Sequence, residues 1–144
     1  MNEQRSGFDV TDPAVFFRMM LGSLYIPHML FKLMDLHGAA AFFEKAGFKP
    51  ALFFVVLALV MESVAAAGLF FNILVKWTGL VSAGVLAVAV YAVFATKGAG
   101  WLWNLGGVEY LVLWAAGSFV FALNAWKQEL AKYGRVYLLT AAHA

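Results

Sequence analysis

Four stretches of the chain, at about residues 14–35, 50–74, 77–97 and 106–126, are each close to the ~20 apolar residues needed to cross a ~30 Å hydrocarbon core. In lipid an isolated strand would leave its backbone groups unpaired, so helix is the economical assignment for each. The predicted fold is therefore all-α, an integral membrane four-helix bundle. Composition agrees: 64% of residues are hydrophobic and 12% charged, against about 25% charged in soluble domains. Asp12 as N-cap with Pro13 in the first turn opens the first span, and Pro50 opens the second. Three segments follow: a polar N-terminal segment 1–13, the membrane domain 14–126, and a cytoplasmic tail 127–144.

Between the first two spans, residues 36–49 are too polar to span and too apolar for a plain loop. They read as a short amphipathic helix ended near Gly47, lying at the interface or folded back over the bundle. The first apolar run contains Arg18, Pro27, His28 and Lys32, unlike the short uncharged core of a cleavable signal, so the first helix is expected to persist in the mature protein. Basic residues set the expected orientation. With the N-terminus in the cytoplasm, Arg5, Lys76, Lys127, Lys132 and Arg135 lie inside, against Lys45, Lys49 and Lys97 outside, which predicts N-in/C-in. Trp101 and Trp103 then belong to an outer aromatic belt, and Trp77 and Trp126 to an inner one. Ala83/Ala87 and Ser118/Ala122 have the spacing that lets helices approach closely.

Composition also excludes chemistry. A net charge of +2, with no basic stretch interleaved with aromatics, gives no basis for nucleic-acid binding. The chain has no cysteine, which removes thiolate-ligated zinc, iron–sulfur clusters and a Cys nucleophile. His28 and His37 fall on opposite sides of a helix and His143 lies in the tail, so no metal site is expected from this chain.

The informative residues are those that lipid penalises. An ionised side chain at a helix centre costs roughly 2.5–3.5 kcal/mol on the insertion scale, yet Arg18, Lys32, Glu62 and Glu109 all lie inside the apolar spans, their charges summing to zero. Arg18, Tyr25 and Lys32 are seven apart and share one face, with His28 on the edge of the same arc. Pro27 removes the backbone bond to the Ser23 carbonyl and predicts a kink beside His28. Depths counted at 1.5 Å per residue bring Lys32 and Glu109 together near the outer face and leave Glu62 near the midplane, between His28 and Arg18. Plainer readings stand beside these: Arg18 and Lys32 snorkelling into headgroups, Glu109 solvated at the interface, and His28 bonded to the carbonyl that Pro27 frees. Glu62 has no such escape.

The ordered set Arg18-x-x-x-Gly22, His28-x-x-x-Lys32, Phe43-Glu44-x-x-Gly47-x-x-Pro50, Glu62 and Gly106-Gly107-x-Glu109-Tyr110 resembles the DoxX family, over about residues 14–125. These are small four-helix proteins of the bacterial cytoplasmic membrane. The resemblance implies a link to membrane redox chemistry: DoxD-type relatives form part of a thiosulfate:quinone oxidoreductase, and others accompany superoxide and thiol defence proteins. The wider superfamily also resembles non-enzymatic cargo receptors and receptor chaperones. Carried over by motif, Arg18, His28, Lys32, Glu62 and Glu109 are the site positions. Departures occur at Met29, where the family usually has glycine, at Leu111, where proline often follows Glu-Tyr, and over 122–127, where the family's glycines before Ser-Leu-Asp are replaced.

Two functions compete on these residues, with a third behind them. In the first the chain is a quinone-linked subunit of a redox complex, Glu62 and Glu109 exchanging protons while Arg18, His28, Lys32 and Tyr110 bind the ligand. It has no cofactor-binding motif of its own, so electrons would come from a partner protein. In the second it is a non-catalytic adaptor whose charges fix helix packing or dock a partner. Proton-coupled transport of a small solute would require a homo-oligomer of so small a chain.

Overall fold

The computed structural model describes residues 7–139. Six α-helices follow in order: α1 Pro13–Ser23, α2 Tyr25–Met34, α3 Leu36–Lys45, α4 Ala51–Phe71, α5 Val75–Lys97 and α6 Glu109–Tyr133, with a short 3₁₀ turn at Trp103–Leu105. Among the described residues there is no strand. Three helical rods are long and apolar enough to cross a membrane: the continuous run Pro13–Met34, then α4 and α5. The fourth sequence run corresponds to α6, which has 25 residues. Its ends carry Glu109 at one side and Lys127, Glu129 and Lys132 at the other, which dilutes its apolar character.

Local chemistry accounts for the boundaries. The Asp12 carboxylate accepts from the Ala14 N–H at 2.8 Å and the Val15 N–H at 3.5 Å, and Pro13 needs no partner. The first rod breaks at Leu24, between α1 and α2. That is the turn in which Pro27 has no N–H to offer Ser23, as the sequence predicts. The amphipathic segment is helical over Leu36–Lys45, capped by Asp35 through the Gly38 N–H at 2.8 Å, and ends before Gly47 at φ +95°. It lies against α4, with Ala39 and Ala46 buried. α4 ends at Asn72 in the left-handed region, and the turn to α5 is tied by Ile73 N–H to the Gly68 carbonyl at 2.8 Å.

α4, α5 and α6 pack in sequence order, and the α1–α2 rod closes against α4 and α6. Backbones meet closely where a glycine permits it. A Cβ on Gly22 would stand 2.7 Å from the Phe70 nitrogen of α4, and one on Gly79 would stand 2.7 Å from the Ser118 carbonyl of α6. Small-residue contact of this kind replaces the hydrophobic drive that lipid cannot supply. The core holds Leu21, Tyr25, Ala65, Leu69, Leu86, Val108 and Trp114. Outward faces remain apolar, with Phe31, Leu113 and Val120 all more than 60% exposed. In water such a surface would be a liability; in a bilayer it is the lipid contact.

Candidate functional site

The polar seam of the first rod is a single face, but its members reach three destinations. Arg18 is buried at the far end of α4, where its guanidinium donates to the carbonyls of Leu69 and of Phe70 (3.1 Å) and to that of Gly7. Those carbonyls belong to the last turn of α4 and have no intrahelical donor, so Arg18 acts as a cationic cap at a helix C-terminus. It does not meet Glu62, which lies seven residues, about 10 Å, back along the same helix.

Tyr25 is 1% exposed. Its hydroxyl lies 2.7 Å from Ser82 Oγ on α5, which lies 2.7 Å from Ser118 Oγ on α6. This hydroxyl chain ties three helices together at the centre of the bundle. Trp114 completes it: its ring packs on Tyr25 with centroids 4.4 Å apart, and its Nε1–H donates to the Leu21 carbonyl beside the helix break at 3.1 Å.

Lys32 pairs with Glu62, not with Glu109. Its ammonium donates to both carboxylate oxygens, at 2.8 and 3.0 Å. The expected Lys32–Glu109 pair is thereby corrected. Depths counted at Cα ignore that helical side chains lean toward the N-terminus. The Lys32 ammonium folds back one turn, 3.5 Å from the His28 carbonyl, and so descends to the level of Glu62. Glu62 is the twelfth of the 21 residues of α4, at its middle. Its side chain is 9% exposed and that of Lys32 16%, so the pair is mostly covered yet not sealed.

His28, one turn before Lys32, stands beside aromatic side chains. The exposed His28 ring lies 5.5 Å from Trp114 and 6.5 Å from Tyr110, nearly parallel to the latter. Among the described residues neither the His28 ring nor the Tyr110 hydroxyl makes a hydrogen bond, and the same holds for the half-buried Glu109 carboxylate at the first residue of α6. Chemically, this region offers an ammonium, a carboxylate, an imidazole and a phenol beside the Trp114 ring. A separate groove of about 430 Å³ between α5 and α6 is lined by Ala83, Ala87, Val90, Val112, Ala115, Ala116 and Phe119. At 100° per residue these α6 positions face away from Tyr110 and Trp114, so this groove carries none of the polar chemistry.

A second ion pair escaped the sequence reading altogether. At the other end of the bundle Lys76, first turn of α5, donates to Glu129 of α6 at 2.6 Å, and the two are 3% and 1% exposed. Lys76 entered the sequence reading only as a basic residue in the orientation argument, and Glu129 was not singled out. The usable signal was the spacing of Trp126, Glu129 and Tyr133, which puts all three on one face of α6. Trp126 donates to the Lys76 carbonyl at 3.1 Å and packs edge-on against Trp77 at 4.9 Å. The two inner-belt tryptophans therefore meet. Arg5 and His143, which entered the orientation and metal arguments, lie outside the described residues.

Together these features define a multi-pass helical membrane protein with an ion pair inside its apolar region. The chain matches the DoxX family over residues 14–95, more than half its length, and it belongs to that family. The matched region holds Arg18, His28, Lys32 and Glu62, while Glu109, Tyr110 and all of α6 lie beyond it. No curated protein and no solved structure matches it.

Proposed function

We propose that this chain is a membrane subunit of a redox complex in the bacterial cytoplasmic membrane, and that Lys32, Glu62, His28 and Tyr110 engage a quinone-type ligand entering from lipid. The carrying observation is the mostly covered Lys32–Glu62 pair with His28 one turn away, His28 stacking near Tyr110 and neither ring making a hydrogen bond among the described residues. The residues fit such a ligand. Lys32 already divides its donors between two oxygens, so one can turn to a ligand carbonyl while Glu62 keeps the charge balanced. Glu62 holds or releases a proton at its carboxylate, and His28 and Tyr110 act as further donors. A bound quinone would supply the two-electron redox chemistry; the electrons come from a partner. α6 completes four spans in this reading, with both termini inside. Arg18 is left as a helix cap, and Glu109 as a proton-exchanging group at the outer mouth.

Titration of a short-chain quinone into purified protein in nanodiscs, followed by tryptophan quenching, tests the reading. Glu62→Gln and Lys32→Met should each weaken binding on the order of tenfold, the worth of one charge-assisted hydrogen bond. Absence of binding to the unmodified chain, or undiminished binding by Glu62→Gln, would refute it. Orientation has its own test: an impermeant thiol reagent added outside should label Ala99→Cys and spare Arg5→Cys.

The non-catalytic adaptor is the second reading, favoured by the α5–α6 groove, whose four alanines would let a partner helix approach closely. Ala87→Leu should then abolish co-purification of a partner while leaving quinone binding intact.

A further inference from the structure

After α6, residues 135–139 do not leave the bundle. Gly134, at φ +67°, ends the helix, and the following residues turn back across the inner ends of α5 and α6. What holds them there is their main chain. Glu129 Oε1 accepts from the Tyr137 N–H at 3.0 Å, Lys76 Nζ donates to the Tyr137 carbonyl, and Trp77 Nε1–H donates to the Leu138 carbonyl at 2.6 Å. The side chains of the segment contribute little to this grip. Leu138 and Leu139 are each 73% exposed, and the half-buried Tyr137 ring meets its near neighbours Tyr133, at 5.6 Å, and Arg135. Lys76 and Glu129 thus use their second donor and second oxygen on a peptide unit, after pairing with each other.

We propose that Lys76, Trp77 and Glu129 form a site that binds an extended polypeptide through its main chain, with residues 135–139 as its resident and releasable occupant. A site of this form recognises backbone groups and is indifferent to the side chains it displays, as in other main-chain modes of peptide recognition. The occupant is tethered by a glycine hinge and held by three hydrogen bonds, two of them to charged groups. Removing one bond leaves a buried partner unsatisfied, and the segment comes off as a unit. Release uncovers both charges at the inner face.

The charged groups around Glu129 are Lys76 from α5, Lys132 on its own helix, which lies over the Tyr133 ring, and Arg135 on the strap, which engages the Tyr137 hydroxyl. Hydrogen bonding from Lys76 holds the Glu129 carboxyl below its ordinary value of 4.5; burial opposes this, and the Tyr137 N–H and the Lys76 charge assist it. The strap is therefore held at neutral pH and lost only as pH falls through that depressed value.

The absence of cysteine makes a single introduced thiol a clean probe. A nitroxide on Leu139→Cys, whose side chain already points outward, reports strap mobility in the full chain. Tyr137→Pro deletes the N–H that Glu129 accepts and changes no bundle residue; it should shorten the label's correlation time by about fivefold or more. Glu129→Gln should do likewise, whereas Tyr137→Phe, which keeps the main chain, should match the unmodified protein. Trypsin cleavage after Arg135 should accelerate about tenfold or more in the two releasing variants. An immobile strap in Tyr137→Pro, or equal release by Tyr137→Phe, would overturn the proposal. Since Tyr137→Pro leaves the bundle untouched, misfolding of Glu129→Gln cannot decide the outcome by itself.

Discussion

The two lysine–glutamate pairs of this chain are chemically alike and structurally opposite. Lys32–Glu62 sits at the middle of α4 and is not fully sealed, its Lys side chain 16% exposed. Lys76–Glu129 sits where the start of α5 meets the end of α6, its side chains 4% and 1% exposed, with a second donor and acceptor committed to Tyr137. The difference teaches where each pair's free energy goes. A closed pair whose two carboxylate oxygens each accept a hydrogen bond holds its neighbours in place, and removing one partner leaves an uncompensated buried charge. A pair that is not fully sealed keeps a face on which a ligand can land, and in a membrane such a residue is a functional-site candidate. Glu62 is therefore the better candidate for meeting a ligand from lipid, although Glu129 is the more deeply buried.

The largest effect that separates the pairs should come from Lys76→Met. It strands Glu129 and frees the strap, and thermal unfolding in detergent should fall by roughly 5–10 °C. If Lys32→Met costs as much, the two pairs are both structural and the contrast disappears. Next, Lys32→Met and Glu62→Gln should each destabilise by about 1–3 kcal/mol. The double substitution should cost less than their sum, a coupling that a double-mutant cycle resolves. Combined with Glu109→Gln, Lys32→Met should by contrast be additive, because Glu109 and Lys32 do not touch.

Acid should act on the inner pair in a definite sense. The Glu129 carboxyl is depressed in the folded protein, so its contribution is present in full above the ordinary carboxylate value and lost as pH falls through the folded one. Melting followed from pH 7 to pH 3 should show that loss in the unmodified chain and a flatter profile in Glu129→Gln. The smallest effect belongs to the ring beside His28. Trp114→Phe keeps the ring against Tyr25 but deletes the donor to the Leu21 carbonyl, costing about 0.5–1.5 kcal/mol in the same melt.

Much of the architecture was legible in the residues. Apolar runs near twenty residues, Asp12–Pro13, the Pro27 break and the helix at Leu36–Lys45 are local facts, because capping, ring constraint and membrane thickness act within a few turns of chain. The burial of Glu62 was legible too, from the price lipid sets on a charge. Which cation meets it was not. Arg18, Tyr25 and Lys32 lie on one face, yet Arg18 goes to the carbonyls at the end of α4, Tyr25 to Ser82, and only Lys32 to Glu62.

Sequence by itself determined the helices, their apolar surface and the need for compensation of the intramembrane charges. Tertiary structure decided the pairing, because a lysine reaches several ångströms along its helix and the Lys32 ammonium turns back toward the His28 carbonyl. It also decided that Lys76 and Glu129, 53 residues apart and each unremarkable in the sequence, become the most enclosed charges of the molecule. A contact of that kind depends on where helix ends come to rest against one another, and no periodicity within a single helix encodes it.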